Sequence, residues 1–232
     1  MKRLAVIPAR GGSKRLPRKN IMDFMGRPMI AWTIRAALES GMFDKVLVST
    51  EDGEIAAISR EVGAEVPFLR QAHFDDHATT SEATIAALKQ AETHWEERYD
   101  VIVQLMANCP LRTAKDVRNA LYHFEEGEHN FQISVFKYGW MNPWWAMRMN
   151  RDGTPAPLFP EALGARSQDL DTLYCPTGAI WIATRDSLLQ AGTFHAPDRV
   201  LWPMPWEHAV DIDDADDLRL AIAVATMLGT SA

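Results

Sequence analysis

Cysteine and long apolar runs are scarce in this sequence, and each scarcity excludes a class of protein. Only Cys109 and Cys175 occur among the 232 residues, which is too few for a disulfide framework and does not favour a zinc site. The apolar stretch after Lys2 and Arg3 ends at Pro8 and is too short for a signal peptide. No later run approaches the roughly 18 apolar residues of a membrane span. We therefore expect a cytoplasmic protein without a membrane partner.

Excess positive charge is lacking as well. The chain has 24 basic and 31 acidic residues, for a net charge of -7. That balance does not favour a nucleic acid or an anionic membrane as partner, because phosphate groups attract cationic surfaces. The average conceals a division of charge, since the first 22 residues carry seven cations and no acidic residue, whereas the rest carry 17 basic and 31 acidic residues. The N-terminal segment is thus expected to bind a small anion.

The order of the apolar segments indicates an α/β fold. Hydrophobic residues make up 47% of the chain, which is enough for one sizeable core. Short apolar strands alternate with helical patterns, which is typical of a mainly parallel sheet covered by helices on both faces, with ligands at the carboxyl ends of the strands. The predicted strands lie at 4–7, 46–48, 101–105, 179–183 and 200–201, and the predicted helices lie at 54–62, 81–95, 114–126 and 215–228, with a further helix between Pro28 and Gly41.

Residues 137–170 interrupt this alternation. The segment contains four prolines and no helical period, and it carries three tryptophans, Trp140, Trp144 and Trp145. Tryptophan is concentrated in protein–protein interfaces. Either the segment is a structured surface loop, or it is a small subdomain that packs against another subunit.

The loop at 8–20, with the sequence PARGGSKRLPRKN, is suited to a triphosphate. Adjacent glycines let the backbone approach phosphate oxygens, and amide, hydroxyl, ammonium and guanidinium groups can bind those oxygens. The spacing is neither that of a Walker loop nor that of a dinucleotide-binding G-x-G-x-x-G motif. A solvated basic loop is the alternative interpretation.

Asp211 and Asp213 have the spacing of a metal-binding pair. In an extended segment, residues i and i+2 point to the same side, so both carboxylates can reach one cation. Mg²⁺ prefers one or two carboxylates together with phosphate oxygens and water. The alternative is that Asp213 or Asp214 caps the last helix. Asp216 and Asp217 fall in the first turn of that helix, where acidic side chains complement its dipole.

The segments PARGGSK and RKN of the basic loop strongly resemble the signature of the acylneuraminate cytidylyltransferases, which make CMP-activated nonulosonic acids. The resemblance continues in order through residues 48–52, 68–70, 78–81, 110–113, 166–170, 178–180 and 211–213. It implies a single domain over 1–232 with the Rossmann-like, three-layer fold of nucleotide-diphospho-sugar transferases. It also implies a homodimer, built by an arm at 137–170 that reaches the partner's active site.

The reaction that the resemblance implies uses Mg²⁺, CTP and a nonulosonic acid. The anomeric hydroxyl of the sugar attacks the α-phosphorus of CTP, and pyrophosphate leaves. The residues implied in catalysis are Arg10, Lys14, Lys19, Asp211 and Asp213, the last two as metal ligands. The residues implied in nucleotide binding are Ala9, Arg10, Gly11, Gly12, Ser13, Lys14, Lys19, Asn20, Arg70, Ala78 and Thr80. Arg70 could instead be a surface arginine and Thr80 a helix cap, and no general base is evident.

The half of the signature that faces the sugar departs from the family. Met106 stands where the sialic-acid enzymes have glutamine, Trp145 where the arm has a lysine, and Cys175 and Thr177 where they have arginine and asparagine. The residues expected to bind the sugar are Met106, Asn108, Arg166, Gln168, Thr177 and Trp181. Fewer cations and more apolar bulk predict an acceptor other than N-acetylneuraminate, such as legionaminic or pseudaminic acid.

Two other interpretations stay open. The octulosonate cytidylyltransferases share the fold and the chemistry, although their first loop lacks Gly-Gly-Ser-Lys. The chain could also be a catalytically silent nucleotide-binding regulator that has lost its sugar site. Outside these motifs, His73 and His77 are expected to face solvent rather than to bind a metal, because no third ligand accompanies them.

Overall fold

A computed structural model describes residues 1–72 and 78–230, so the expectation for His73 and His77 lies outside the described residues. This part of the chain contains ten strands and six α-helices. In chain order they are β1 (Arg3–Pro8), β2 (Asp23–Phe24), β3 (Arg27–Pro28), α1 (Met29–Ser40), β4 (Lys45–Ser49), α2 (Gly53–Val62), α3 (Thr80–Trp95), β5 (Val101–Gln104), α4 (Ala114–Glu126), β6 (Phe131–Lys137), β7 (Met147–Met149), β8 (Pro155–Pro157), β9 (Tyr174–Thr184), α5 (Arg185–Ala191), β10 (Val200–Pro203) and α6 (Ala215–Met227).

Six of these strands form one sheet in the order β10-β6-β9-β5-β1-β4. Strand β1 pairs in parallel with β4 and β5, and β10 pairs in parallel with β6. Strand β9 is antiparallel to both of its neighbours, β5 and β6. The predicted α/β class with a mainly parallel sheet is confirmed. Strands β1, β4 and β5 all end at the same edge, as parallel strands must.

Helices cover both faces of the sheet, which gives the predicted three layers. Along β1, Ala5 and Ile7 pack with apolar residues of α1, α2 and α4, whereas Leu4 and Val6 pack with those of α3 and α5. This alternation follows from the two-residue period of a strand, and it requires an apolar residue at every position of a strand that is covered on both sides. Helix α6 closes a third apolar cluster with Phe24 and Met29.

The predicted elements are present, with differences at their ends, but strand β6, helix α5 and the short strands β2, β3, β7 and β8 were not predicted. Strand β9 begins at Tyr174 rather than at 179, and helix α5 is not predicted at all. Strand β6 is also missed, although Phe131, Ile133 and Val135 alternate with Gln132 and Ser134 in the two-residue period of a strand. Both side chains are buried, and they donate hydrogen bonds to the carbonyl oxygens of Ala120 and Thr177, respectively. Polar residues can therefore occupy a central strand once their hydrogen bonds are satisfied.

Between β6 and β9 the chain leaves the sheet. Strands β7 and β8 form a small antiparallel hairpin, and Trp144 packs edge-on against Phe159 with its indole N–H donated to the Asp171 carbonyl. Trp140 is 86% exposed and Met149 is 82% exposed. This segment is called the arm below. No helix in the described ranges is both long and apolar enough to cross a membrane.

Candidate functional site

A cleft of about 290 Å³ opens at the edge where β1, β4 and β5 end. Ligand sites of α/β sheets form at this edge, because the loops that follow parallel strands converge there. The predicted site residues that line the cleft are Ala9, Arg10, Ser13, Lys14, Lys19, Asn20, Arg70, Ala78, Thr80, Met106, Asn108, Asp211 and Asp213. The fold therefore brings the basic loop, the carboxylate pair and part of the predicted sugar-facing set into one place.

The basic loop is anchored at three backbone points. The Ala9 N–H donates to the Ser49 carbonyl at 3.0 Å, and the Asn20 amide donates to the Arg10 carbonyl at 3.0 Å. The Gly11 N–H donates to Glu51 Oε1 at 2.7 Å. A Cβ on Gly11 would collide with the Asp52 carboxylate, so this close approach requires glycine. Four cationic side chains of the loop line the cleft, those of Arg10, Lys14, Arg15 and Lys19, whereas Arg18 points to Asp52 and Glu54.

Glu51 and Asp52 support the loop from the end of β4, a role that sequence reasoning did not assign to them. Glu51 Oε2 accepts from the buried Arg70 guanidinium at 3.1 Å. Burial lowers the pKa of Arg70, although the charge of Glu51 acts to raise it. Asp52 caps α2 and pairs with Arg18, and this pairing lowers the pKa of Asp52. The available signal was the position of two acids directly after a buried parallel strand.

The carboxylates of Asp211 and Asp213 converge on one amide group. Asn108 Nδ2 donates to Asp211 Oδ1, to the Ile212 carbonyl at 3.0 Å and to Asp213 Oδ1 at 3.4 Å. Burial and the charge of Asp213 raise the pKa of Asp211 to about 6. Burial also acts to raise the pKa of Asp213, but hydrogen bonds from Lys19 and Arg15 lower it overall.

The alternative role of these acids as helix caps is resolved by Asp214. Its carboxylate accepts from the backbone N–H groups of Asp216 and Asp217, and Asp217 accepts from the Asp214 N–H in return. Asp213 is therefore free of the capping role. Its oxygens instead contact Lys19 Nζ at 2.8 Å and Arg15 Nη2 at 2.5 Å.

The residues present fit a hard divalent cation. Two carboxylates held close together repel each other, which is the cause of part of the raised pKa of Asp211, and a divalent cation relieves that repulsion. Over residues 1–72 and 78–230, no group of three or more His, Cys, Asp or Glu side chains is placed to hold a metal. A carboxylate pair is nevertheless sufficient for Mg²⁺, which completes its coordination with water and substrate phosphate.

Met106 contributes an apolar side chain to the cleft lining, and a buried arginine supports its backbone. The Met106 N–H donates to the Gly178 carbonyl at 3.2 Å. A Cβ on Gly178 would lie 2.7 Å from Met106 Cγ, so glycine lets the methionine side chain lie across β9. Beneath them, the Arg112 guanidinium donates to the carbonyl oxygens of Met106 and Ala179, and burial lowers the pKa of Arg112 to about 10.

Four predicted sugar-binding residues do not line the cleft of this single chain. Arg166 and Gln168 lie in the exposed arm, where Arg166 pairs with Asp169 at 2.7 Å. Thr177 is buried and donates to the Ala209 carbonyl at 2.9 Å. Trp181 packs its ring against His195 on the face of the sheet that α3 and α5 cover, because the alternation of side chains along β9 directs it to that face. Their roles in sugar binding stay predictions.

Three further points concern predicted binding residues. The N-cap of α3 is Thr79, which forms a capping box with Glu82, so the Thr80 hydroxyl is left for the cleft. Gly11 and Gly12 belong to the basic loop but do not line the cavity. Asn108, expected to bind the sugar, lines the cleft beside the carboxylate pair, and its role in sugar binding stays a prediction.

Over most of its length the chain is similar to proteins named as cytidylyltransferases or CMP-sugar synthases. Residues 4–144 match the model of a family described as cytidylyltransferase. The chain is 34% identical over 224 residues to a pseudaminic acid cytidylyltransferase of Campylobacter jejuni, covering 95% of both chains. It is 32% identical over 232 residues to a CMP-N,N'-diacetyllegionaminic acid synthase of Legionella pneumophila, covering 95% of this chain and 94% of that one.

Solved structures share the fold at low sequence identity. A CMP:2-keto-3-deoxy-manno-octonic acid synthetase complexed with CTP superposes with a TM-score of 0.71 at 18% identity, covering 98% of this chain and all of the other. A cytidylyltransferase from Leptospira borgpetersenii superposes with a TM-score of 0.62 at 19% identity, covering 98% of this chain and 87% of that one. At such identities the likeness establishes the nucleotidyltransferase fold alone.

Proposed function

The chain belongs to the cytidylyltransferase family, among the CMP-nonulosonic acid synthetases, and we propose that it transfers CMP from CTP to the anomeric hydroxyl of a nonulosonic acid. The anomeric oxygen attacks the α-phosphorus, the bond from that phosphorus to the pyrophosphate oxygen breaks, and the hydroxyl proton is released. The products are a CMP-sugar and pyrophosphate.

One observation carries this proposal: a single cleft joins a basic, glycine-containing loop to a pair of converging carboxylates. Phosphoryl-type transfer depends on positioning and on neutralising the charge of the phosphate oxygens. Arg10, Ser13, Lys14 and Lys19 provide donors and positive charge for the triphosphate. Asn20 is buried and holds the loop backbone at Arg10.

Mg²⁺ is part of the proposal. Asp211 and Asp213 would hold the ion, and when bound it supplies further positive charge to the phosphate oxygens. Asn108 keeps the two carboxylates together by its hydrogen bonds to both. Lys19 reaches Asp213 and belongs to the phosphate-binding loop, so it links the carboxylate pair to the site proposed for the triphosphate.

For the acceptor we propose a nonulosonic acid other than N-acetylneuraminate, such as a deoxygenated one. Met106 lines the cleft, and its thioether and methylene groups suit a methyl-bearing sugar better than a hydroxylated one. Relatives named for pseudaminic, legionaminic and N-acylneuraminic acids are 34%, 32% and 32% identical to the chain, respectively. They support a nonulosonic acid as acceptor, and the choice among these sugars rests on Met106.

We also propose that the chain forms a homodimer in the cytoplasm. The exposed apolar side chains of the arm support an interface. Arg166 and Gln168 lie in the arm, away from the cleft of their own chain, which fits the expectation that the arm reaches the partner's site. Cys109 and Cys175 are both free thiols, which fits a reducing compartment.

The test is pyrophosphate release from CTP and Mg²⁺ with a panel of acceptors. The panel contains pseudaminic acid, N,N'-diacetyllegionaminic acid, N-acetylneuraminate and 2-keto-3-deoxy-octonate, with a reaction without acceptor as control. We expect the highest kcat/KM with a deoxygenated nonulosonate. Preferred turnover of N-acetylneuraminate would reject the acceptor assignment, preferred turnover of the octonate would favour the octulosonate class, and no release with any acceptor would favour a silent regulator.

A further inference from the structure

Gln104 is a buried polar residue to which the mechanism above gives no role. It is the last residue of β5, in the centre of the sheet, and its side chain is shielded from solvent. On the same face of the sheet, Ile102, Val6 and Leu88 form an apolar core. A buried amide costs free energy unless its polar atoms are hydrogen-bonded. Its partners therefore indicate what it does.

Three contacts determine how the amide group is oriented. Thr84 Oγ1, inside the core, donates to Gln104 Oε1 at 2.7 Å. Gln104 Nε2 consequently faces the cleft, where it lies 3.4 Å from Thr80 Oγ1 and 3.8 Å from Met106 Sδ. Thr80 and Met106 line the cleft, whereas Gln104 does not. The amide thus joins a core hydroxyl to two groups that face the ligand.

These hydrogen bonds run in one direction. A threonine hydroxyl has one proton to donate, and Thr80 Oγ1 accepts from the Gln104 amide, so its own proton is available to the cleft. If the amide were absent or reversed, the Thr80 hydroxyl could donate its proton inward instead. The Met106 thioether can only accept a hydrogen bond, so its contact with Nε2 opposes that reversal.

We propose that Gln104 is a positioning residue that makes Thr80 a hydrogen-bond donor toward an acceptor oxygen of the bound nucleotide. This inference rests on the proposed function, in which the basic loop takes the triphosphate. The uncharged wall of Ala78, Thr80 and Ala83 lines the same cleft, and it suits the neutral base and ribose. Gln104 also contacts the Met106 thioether, so one amide supports both the nucleotide wall and the acceptor end.

The test is a double-mutant cycle on CTP binding, measured by calorimetry without acceptor. Gln104→Leu keeps most of the side-chain volume and removes the donor, and Thr80→Val removes the hydroxyl. Each single variant is expected to raise the Kd for CTP by roughly fivefold, the effect of one lost hydrogen bond. In the Thr80→Val background, Gln104→Leu is expected to change the Kd by less than about twofold, because it acts through that hydroxyl.

Two controls separate positioning from a general loss of core stability. Gln132→Leu removes another fully buried glutamine, on β6, whose partners are the Ala120 carbonyl and His123. It is expected to destabilise the fold and to leave the Kd unchanged. Thr80→Ser keeps the hydroxyl and is expected to keep the affinity.

Equal weakening by Gln104→Leu in both backgrounds, or no weakening in either, would overturn the proposal. If Gln104→Leu does not fold, Gln104→Met, which is unbranched and also lacks the donor, replaces it in the same cycle. A wild-type protein that does not bind CTP would reject the proposed function itself. If the wild-type protein and the Gln104→Leu variant instead bind CTP equally tightly, only the role of Gln104 is rejected.

Discussion

At the scale of single residues, Glu51 connects two parts of the cleft. One of its oxygens holds the Gly11 N–H at 2.7 Å and the other holds the Arg70 guanidinium at 3.1 Å. It therefore connects the basic loop to the buried Arg70, which also lines the cleft. A carboxylate is needed at this position, because the Arg70 charge is taken out of water and requires a partner of opposite sign.

Glu51→Gln is expected to weaken both folding and nucleotide binding. Loss of the negative charge leaves Arg70 without a counter-charge, which should lower the free energy of unfolding by about 1–3 kcal/mol. Loosening of the loop should raise the Kd for CTP by about tenfold. Urea unfolding and calorimetric titration measure the two effects. Glu65→Gln, which breaks a partly exposed pair with Lys45 away from the cleft, serves as the matched control, and an equal effect there would contradict the role of Glu51.

The carboxylate pair yields a second prediction at this scale. Asp211→Asn is expected to abolish the Mg²⁺-dependent gain in CTP affinity and to reduce turnover by at least about 100-fold. The free energy of unfolding should not fall, because the pKa of Asp211 is raised by burial and by Asp213, so its charged form is unfavourable in the fold.

Calorimetric titration of CTP with and without Mg²⁺ checks the binding effect, and urea unfolding checks the fold. The matched control is Asp216→Asn, since Asp216 is exposed and pairs with Arg219 in the same helix. Retention of Mg²⁺-dependent CTP binding by Asp211→Asn would refute its assignment as a ligand.

At the scale of elements, the start of α4 and the short turn Trp206–His208 hold each other in place. Asp116 accepts from the Thr113 N–H at 2.9 Å and from its hydroxyl at 2.6 Å, and it faces His208 Nδ1 at 2.9 Å. The hydrogen bond with Asp116 raises the pKa of His208, although burial acts to lower it. The pair thereby ties the chain that leads to Asp211 onto a helix cap.

This pair predicts a pH dependence of stability. A histidine whose pKa is raised in the folded state stabilises the fold fully below its unfolded pKa of about 6.5, and this contribution is lost as the pH rises through the folded pKa. The wild-type protein should therefore be more stable than His208→Gln at about pH 6, by about 1 kcal/mol, and the difference should shrink toward about pH 8.

Urea unfolding of both proteins across this range checks the prediction. His195→Gln is the control of opposite sign, because burial lowers the pKa of His195. The stability of the wild-type protein relative to His195→Gln should be lowest at the acidic end of the range, where protonation of His195 is unfavourable in the fold. A pH-independent difference between wild type and His208→Gln would contradict the charged pair.

At the scale of the whole molecule, the cleft and the exposed apolar surface lie in different parts of the chain. The edge where β1, β4 and β5 end collects the cleft, whereas the arm, inserted between β6 and β9, presents apolar side chains to solvent. Trp140 and Met149 are exposed over most of their surface, which is costly for a chain that stays alone in water. The proposed homodimer would cover them.

Met149→Glu is expected to dissociate the proposed dimer, because a buried charge without a partner is unfavourable in an interface. Sedimentation velocity measures the change in mass, and CTP affinity should stay within about twofold of wild type, since the cleft is distant in sequence and does not include Met149. Met227→Glu, at a 63% exposed methionine on α6, is the control. A wild-type protein that sediments as a monomer would reject the dimer.

The sequence by itself determined the local features: the order of strands and helices, the basic loop, and the Asp211–Asp213 pair. Each depends on residues close together in the chain, so hydrophobic period, turn residues and i, i+2 spacing suffice to predict it. The burial of Gln132 and Ser134 in strand β6 was not predictable from the strand itself, because the carbonyl groups that accept their hydrogen bonds lie elsewhere in the chain.

Only the tertiary structure decided which side chains support the site. Glu51 holds Gly11 from 40 residues away, and Asn108 joins Asp211 from 103 residues away. Gln104 likewise acquires its orientation from Thr84 on a packed helix. Such contacts leave no local pattern, because they depend on the convergence of loops at one edge of a folded sheet.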